Sequence, residues 1–150
     1  MKQILAGCAF LFLLIACSKD KFETIPQLKI KSVSSNEVDN SAPLTIKIEF
    51  TDKEGDVSDT LFMIRQRLNV NGPKTLLPSP YKLPDFPKTT KGEFELNLDY
   101  SQDITFNLDP IYIPGAGKNE QDTMRLKFVA KDKGGNYSDT AVLEDIFVVR

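Results

Sequence analysis

The sequence predicts an all-β chain folded as a two-sheet sandwich of about seven strands, and three observations carry that expectation. Apolar and polar residues alternate at strict period two in several segments. Downstream of the first seventeen residues, no segment holds the i, i+3, i+4 apolar spacing of a helix over three turns. Pro and Gly recur at short intervals, which interrupts helices and bounds strands.

The N-terminus is a separate unit. Lys2 precedes an apolar run from Ile4 to Ala16, and polar Ser18, Lys19 and Asp20 follow Cys17 at once. A positive start, a short apolar core and small residues at its end are what a secretory signal requires. A spanning helix needs about 20 apolar residues, so length and flank both argue against an uncleaved anchor. Residues 1–16 therefore read as a helical signal peptide, 17–26 as a polar tether, and 27–150 as one domain.

Leu14, Ile15, Ala16 and Cys17 resemble the lipobox of bacterial lipoproteins. The resemblance implies that Cys17 carries covalent lipid and becomes the first residue of the mature chain. It also implies a protein held on the membrane by acyl chains, since two or more chains anchor stably where one binds marginally. Lys19 and Asp20 loosely resemble the charged export tags of Bacteroidota surface lipoproteins. The expected location is the cell envelope, most of all the outer membrane, at its periplasmic face or at the cell surface. Cleavage before Cys17 would remove Cys8 and commit Cys17 to lipid, leaving no thiol for a disulfide. Such a domain must be held by burial alone, which its length permits.

The strands follow in order. Leu28 to Val33 is a short candidate. Leu44, Ile46, Ile48 and Phe50 alternate with Thr45, Lys47 and Glu49, which places one face inward. Leu61 to Val70 is a weaker candidate. Phe94, Leu96, Leu98 and Tyr100 alternate with Glu93, Glu95, Asn97 and Asp99, and Ile104, Phe106 and Leu108 with Asp103, Thr105 and Asn107. Met124, Leu126, Phe128 and Ala130 form another inward set. Thr140 to Val149 completes the count, with a bulge expected near Glu144 and Asp145, where the alternation slips. Polar outer faces and the absence of disulfides fit a sandwich of immunoglobulin-like or fibronectin-like type better than a closed barrel.

Two acidic turns stand out. Asp52-Lys53-Glu54-Gly55-Asp56 follows the strand ending at Phe50, and Asp132-Lys133-Gly134-Gly135-Asn136 follows the strand ending near Ala130. With the strand layout they resemble the immunoglobulin-like modules, cadherin-like among them, of bacterial surface lipoproteins. In such a fold these two connections emerge at the same end. Asp52, Glu54, Asp56 and Asp132 would then converge, and hard cations such as calcium take six to eight oxygens from groups of this kind. Gly55 comes too early for an EF-hand loop. The competing reading is that Asp, Asn and Gly are simply what tight turns select.

Leu76 to Pro87 interleaves Pro78, Pro80, Pro84 and Pro87 with Tyr81, Leu83 and Phe86. Preset backbone angles make exposed Tyr81 and Phe86 candidate anchors for a partner or a sugar ring. The competing reading is a loop that covers a sheet edge and tucks Leu83 and Phe86 into the core.

Catalysis finds little support. The chain has no histidine and would have no free cysteine after lipidation, which removes the usual general base, the common zinc ligands and the thiol nucleophile. Loss of Lys2 makes the remainder one unit more negative than the net −2 of the whole chain, and no basic stripe or phosphate-binding Gly loop appears, which argues against nucleic acid and nucleotides. The expectation is a non-enzymatic binding or structural module, requiring no cofactor beyond its lipid and a candidate calcium ion, that contacts an envelope protein or a glycan. An accessory subunit of an outer-membrane uptake or assembly complex is the alternative, and a small carbohydrate-active enzyme with paired carboxylates a remote one.

Overall fold

The structure, a computed structural model, describes residues 24–150. The signal segment, Cys17 and most of the tether lie outside the described residues. Strands β1 (Gln27–Val33), β2 (Glu37–Val38), β3 (Leu44–Thr51), β4 (Thr60–Arg67), β5 (Lys74–Thr75), β6 (Ser79–Lys82), β7 (Lys91–Leu98), β8 (Tyr112–Ile113), β9 (Lys118–Asn119), β10 (Asp122–Lys131) and β11 (Ala141–Val148) follow in chain order. Seven of these have four or more residues, and they carry the fold.

One sheet has the order β1-β3-β7 and the other β2-β11-β10-β4, with β5 and β6 both paired to β4. Strands β8 and β9 form a small separate hairpin. All pairs are antiparallel except β2 with β11.

Period two explains the packing. On β3, Leu44, Ile46, Ile48 and Phe50 are buried while the residues between them reach solvent. Their antiparallel neighbours on β7 are Leu98, Leu96, Phe94 and Gly92. From the other sheet Leu61 and Met63 of β4, Met124, Leu126 and Phe128 of β10, and Ile146 and Val148 of β11 enter the same core. A fully buried side chain of this size contributes about 1.5–3 kcal/mol, so the interlayer core is what holds the domain together.

Gly92 has a packing reason. A Cβ there would stand 2.5 Å from the Phe50 ring, which lies against the glycine and stacks on Phe94 with centroids 4.6 Å apart. Gly92→Ala is expected to cost about 1–3 kcal/mol through overpacking, read as a lower urea midpoint at unchanged slope.

Strand β11 is bulged where the alternation slips. Met124 faces Ile146 but Leu126 faces Leu143, so β11 spends one residue more than β10, and Asp145 takes a φ of 55°. That extra residue returns Ile146 and Val148 to the core face.

The strand expected over Ile104 to Leu108 is absent. Chain 100–104 forms a single helical turn, started by Asp99, whose Oδ1 accepts the N–H groups of Ser101 and Gln102 at 2.8 Å each. A capping carboxylate at this place overrides strand alternation. Ile104 and Leu108 are buried, at a spacing of four rather than two, and Phe106 between them is exposed. Tyr100 is consequently part of the turn and not of β7. Strand β4 also stops earlier than expected, at Arg67, leaving Val70 exposed.

The Asp99 carboxyl is held below the ordinary carboxylate range by the Ser101 hydroxyl, then by the Gln102 and Ser101 amides. A depressed folded-state pKa contributes stability above the ordinary value that is lost as pH falls through the lowered one. Asp99→Asn keeps an acceptor but no charge, so it should flatten the acid limb of a urea-midpoint profile between pH 6 and 2. An unchanged limb would refute this assignment of the charge.

Candidate functional site

Three connections meet at one end of the sandwich: residues 52–59 between β3 and β4, 83–90 between β6 and β7, and 132–140 between β10 and β11. Backbone hydrogen bonds stitch them. Asp52 N–H donates to Thr90 O at 2.9 Å, Thr89 N–H to Gly55 O at 3.1 Å, Leu83 N–H to Asp59 O at 3.1 Å, and Lys133 N–H to Asp56 O at 3.1 Å. The two acidic turns therefore do emerge together.

Gly55 shapes the first turn. Its φ is +70°, a region that favours glycine, and a Cβ would meet Thr89 N at 2.9 Å. The reversal brings Asp56 back toward Asp52, whose Oδ2 accepts the Asp56 N–H at 3.0 Å. Carboxylate oxygens of Asp52, Glu54 and Asp56 lie within 4.8 Å of one another. Asp52 is fully buried, Asp56 half-buried and Glu54 exposed. Asp52 Oδ1 and Asp56 Oδ1 are both buried and accept no hydrogen bond.

Asp132 stands in the second turn with its own partners. Its Oδ1 accepts the Asn136 N–H at 2.7 Å and its Oδ2 the Asn136 side-chain amide at 2.9 Å. It therefore shapes its turn and stays near enough to act on Asp56 through charge. Burial pushes the Asp56 carboxyl above its ordinary range, and the negative charges of Asp132, Asp52 and Glu54 push it the same way. Among the described residues, no ion pair engages any of these four carboxylates. The bases on either side of Asp132 turn elsewhere, Lys133 to Asp85 at 2.9 Å and Lys131 to Asp59 at 3.7 Å.

Phe86 belongs to the 83–90 connection and Tyr81 to β6, and both line a groove between β6 and β7 that Leu61, Leu83, Phe94 and Leu96 also line. Strand β6 covers the β4 edge, with Leu61 facing Tyr81 and Phe62 facing Pro80. The Tyr81 hydroxyl donates to Asp103 Oδ1 at 2.8 Å, and burial, then that carboxylate, raises its pKa. Phe86 stacks on Phe50 at 5.7 Å. Both rings are half-buried against the core, and Leu83 is buried, so the segment performs the edge-covering role.

Four buried charges belong to no sequence motif. Arg67 Nη1 lies 3.5 Å from Asp122 Oδ1, and Arg150 Nε donates to Asp122 Oδ2 while its Nη2 stands in ion-pair contact with the same oxygen. Their signal was phase, since Asp122 falls in register with Met124, Leu126 and Phe128, and Arg67 with Leu61 and Met63. Arg65, in that same buried phase, donates to the carbonyls of Ile104 and Phe106 at the end of the helical turn.

No family profile matches the sequence, and no curated protein sequence matches it. Two solved structures are similar to the chain at the level of backbone. The sporulation control protein Spo0M of Bacillus subtilis aligns with TM-score 0.44 and 8% identity over 84% of this chain. This chain spans 50% of the length of that protein. A superoxide reductase (neelaredoxin) of Ignicoccus hospitalis, in its E23A form, aligns with TM-score 0.33 and 12% identity over 86% of this chain and 90% of its own.

Proposed function

We propose that this protein is an exported, lipid-anchored lipoprotein of the bacterial cell envelope whose immunoglobulin-like sandwich serves as a non-catalytic binding or structural module. The observation that carries the reading is the run Leu14-Ile15-Ala16-Cys17, flanked by Lys2 and the apolar stretch before it and by polar residues after it. The fold supports it in two ways. Strands in the orders β1-β3-β7 and β2-β11-β10-β4 enclose one apolar core without a disulfide, as an anchored domain stripped of thiols requires. The described surface carries carboxylates in turns and lysine-glutamate pairs on strand faces, among other polar groups, a pattern that suits recognition.

The groove beside Tyr81 and Phe86 is the proposed contact for an envelope protein or glycan. The test is production of the full chain in a lipoprotein-exporting bacterium with a labelled fatty acid. Label is expected on the wild type and absent from Cys17→Ser, with mass spectrometry placing the mature N-terminus at Cys17. A product that keeps residues 1–16 and carries no label would overturn the reading.

A further inference from the structure

We infer that Asp52, Glu54 and Asp56 form a binding site for a calcium ion, preorganised by Gly55 and by the loops that brace it. The three carboxylates bring ligand oxygens within 4.8 Å of one another, and they come from alternate residues of one turn. Proximity alone is common among acidic turns. The decisive feature is that the Asp52 side chain is fully buried and its Oδ1 accepts no hydrogen bond, nor does the buried Oδ1 of Asp56. Buried carboxylate oxygens in folded proteins are paired or bound to metal, because leaving them bare is costly.

No base forms an ion pair with them, although the charge of Lys133 reaches Asp56. Lys133 is engaged by Asp85, Lys131 by Asp59, and none of the ion pairs among the described residues includes Asp52, Glu54 or Asp56. A dication would satisfy both bare oxygens and draw in the exposed Glu54 from the solvent side. The ligand set is all oxygen and the chain contains no histidine, which selects a hard cation over a transition metal. Calcium fits better than magnesium because it tolerates irregular geometry, shared or bidentate carboxylates and water in the remaining positions.

Asp132 serves the site from outside. Both its oxygens are held by Asn136, while the Lys133 N–H that follows it fixes the Asp56 carbonyl. Calcium at this place would pin the β3–β4 connection against the β10–β11 turn and stiffen the loop end of the domain.

The inference is tested on the full chain, first stripped with chelator, by calorimetric titration with calcium chloride and by thermal unfolding with and without the ion. Saturable heat at one site and an upward shift of the unfolding midpoint by roughly 4–8 °C at about tenfold the dissociation constant are expected. Asp52→Asn preserves shape and one acceptor, and should abolish the shift. Glu54→Gln alters only an exposed side chain, so the domain stays folded, and it should weaken calcium binding about tenfold. Glu95→Gln, far along β7, should change neither. No heat and no shift at millimolar calcium, or an equal shift with magnesium, would overturn the assignment. Because these readouts need neither lipid nor a partner, they are independent of the Cys17 result.

Discussion

Replacing Asp122 with alanine is expected to lower the stability of the domain by about 3–5 kcal/mol, the cost of stranding buried positive charge. Asp122 opens β10 and is fully buried. Its Oδ2 takes both the Nε and the Nη2 of Arg150, and its Oδ1 faces Arg67 Nη1. The two guanidiniums are over 90% buried, and their remaining bonds go to backbone carbonyls, Gly72 and Asp109 for Arg67 and Leu108 for Arg150. Carbonyl dipoles alone would then have to hold two cations out of water. Adding Arg67→Met to Asp122→Ala removes one stranded cation and should recover part of the loss, whereas simple additivity would mean that Arg67 and Asp122 are not coupled. Urea unfolding of the single and double variants measures this directly.

Phe128→Ala is expected to cost a comparable amount, about 3–5 kcal/mol, for a different reason. Phe128 lies on β10, between β4 and β11, with no exposed surface, opposite Met63 on one side and Ala141 on the other. Deleting the ring leaves a void in the middle of the interlayer core, where strands paired on both sides collapse poorly around it. Phe128→Leu retains most of the volume and should cost markedly less. Equal losses for the two variants, measured by urea midpoint, would show that the site relaxes freely and that the ring is not a packing centre.

Much of this architecture was legible because one face of most strands is buried and the other wet. Leu44 to Phe50 and Met124 to Ala130 show the clean alternation that follows from that geometry, and both are strands. The bulge at Asp145 was legible for the same reason, since a slip in the pattern must be absorbed somewhere. The stretch from Ile104 to Leu108 misled because Ile104 closes the helical turn that Asp99 starts, and residues 105–108 then reverse the chain, with Leu108 N–H donating to Thr105 O at 3.0 Å and Asn107 at a φ of 60°. The capping chemistry of Asp99, located before the segment, sets the first of these and Asn107 allows the second.

The site was partly legible. Turn composition brought Asp52, Glu54, Asp56 and Asp132 together at one end of the fold, and the loops do meet there. Which oxygens are bare and which are consumed depends on local backbone direction. The Gly55 reversal frees one oxygen of Asp52, whereas the Asn136 amides occupy both of Asp132. The Arg67–Asp122–Arg150 contact joins residues far apart along the chain, and alternation marked them only as charges in an apolar phase.

Strands β2 and β11 run side by side in the same direction, Phe147 N–H reaching Asn36 O at 2.7 Å and Val149 N–H reaching Val38 O at 2.9 Å. A tensile force applied between residue 24 and residue 150 therefore meets these bonds crosswise, so that they bear it together and cannot be unzipped singly.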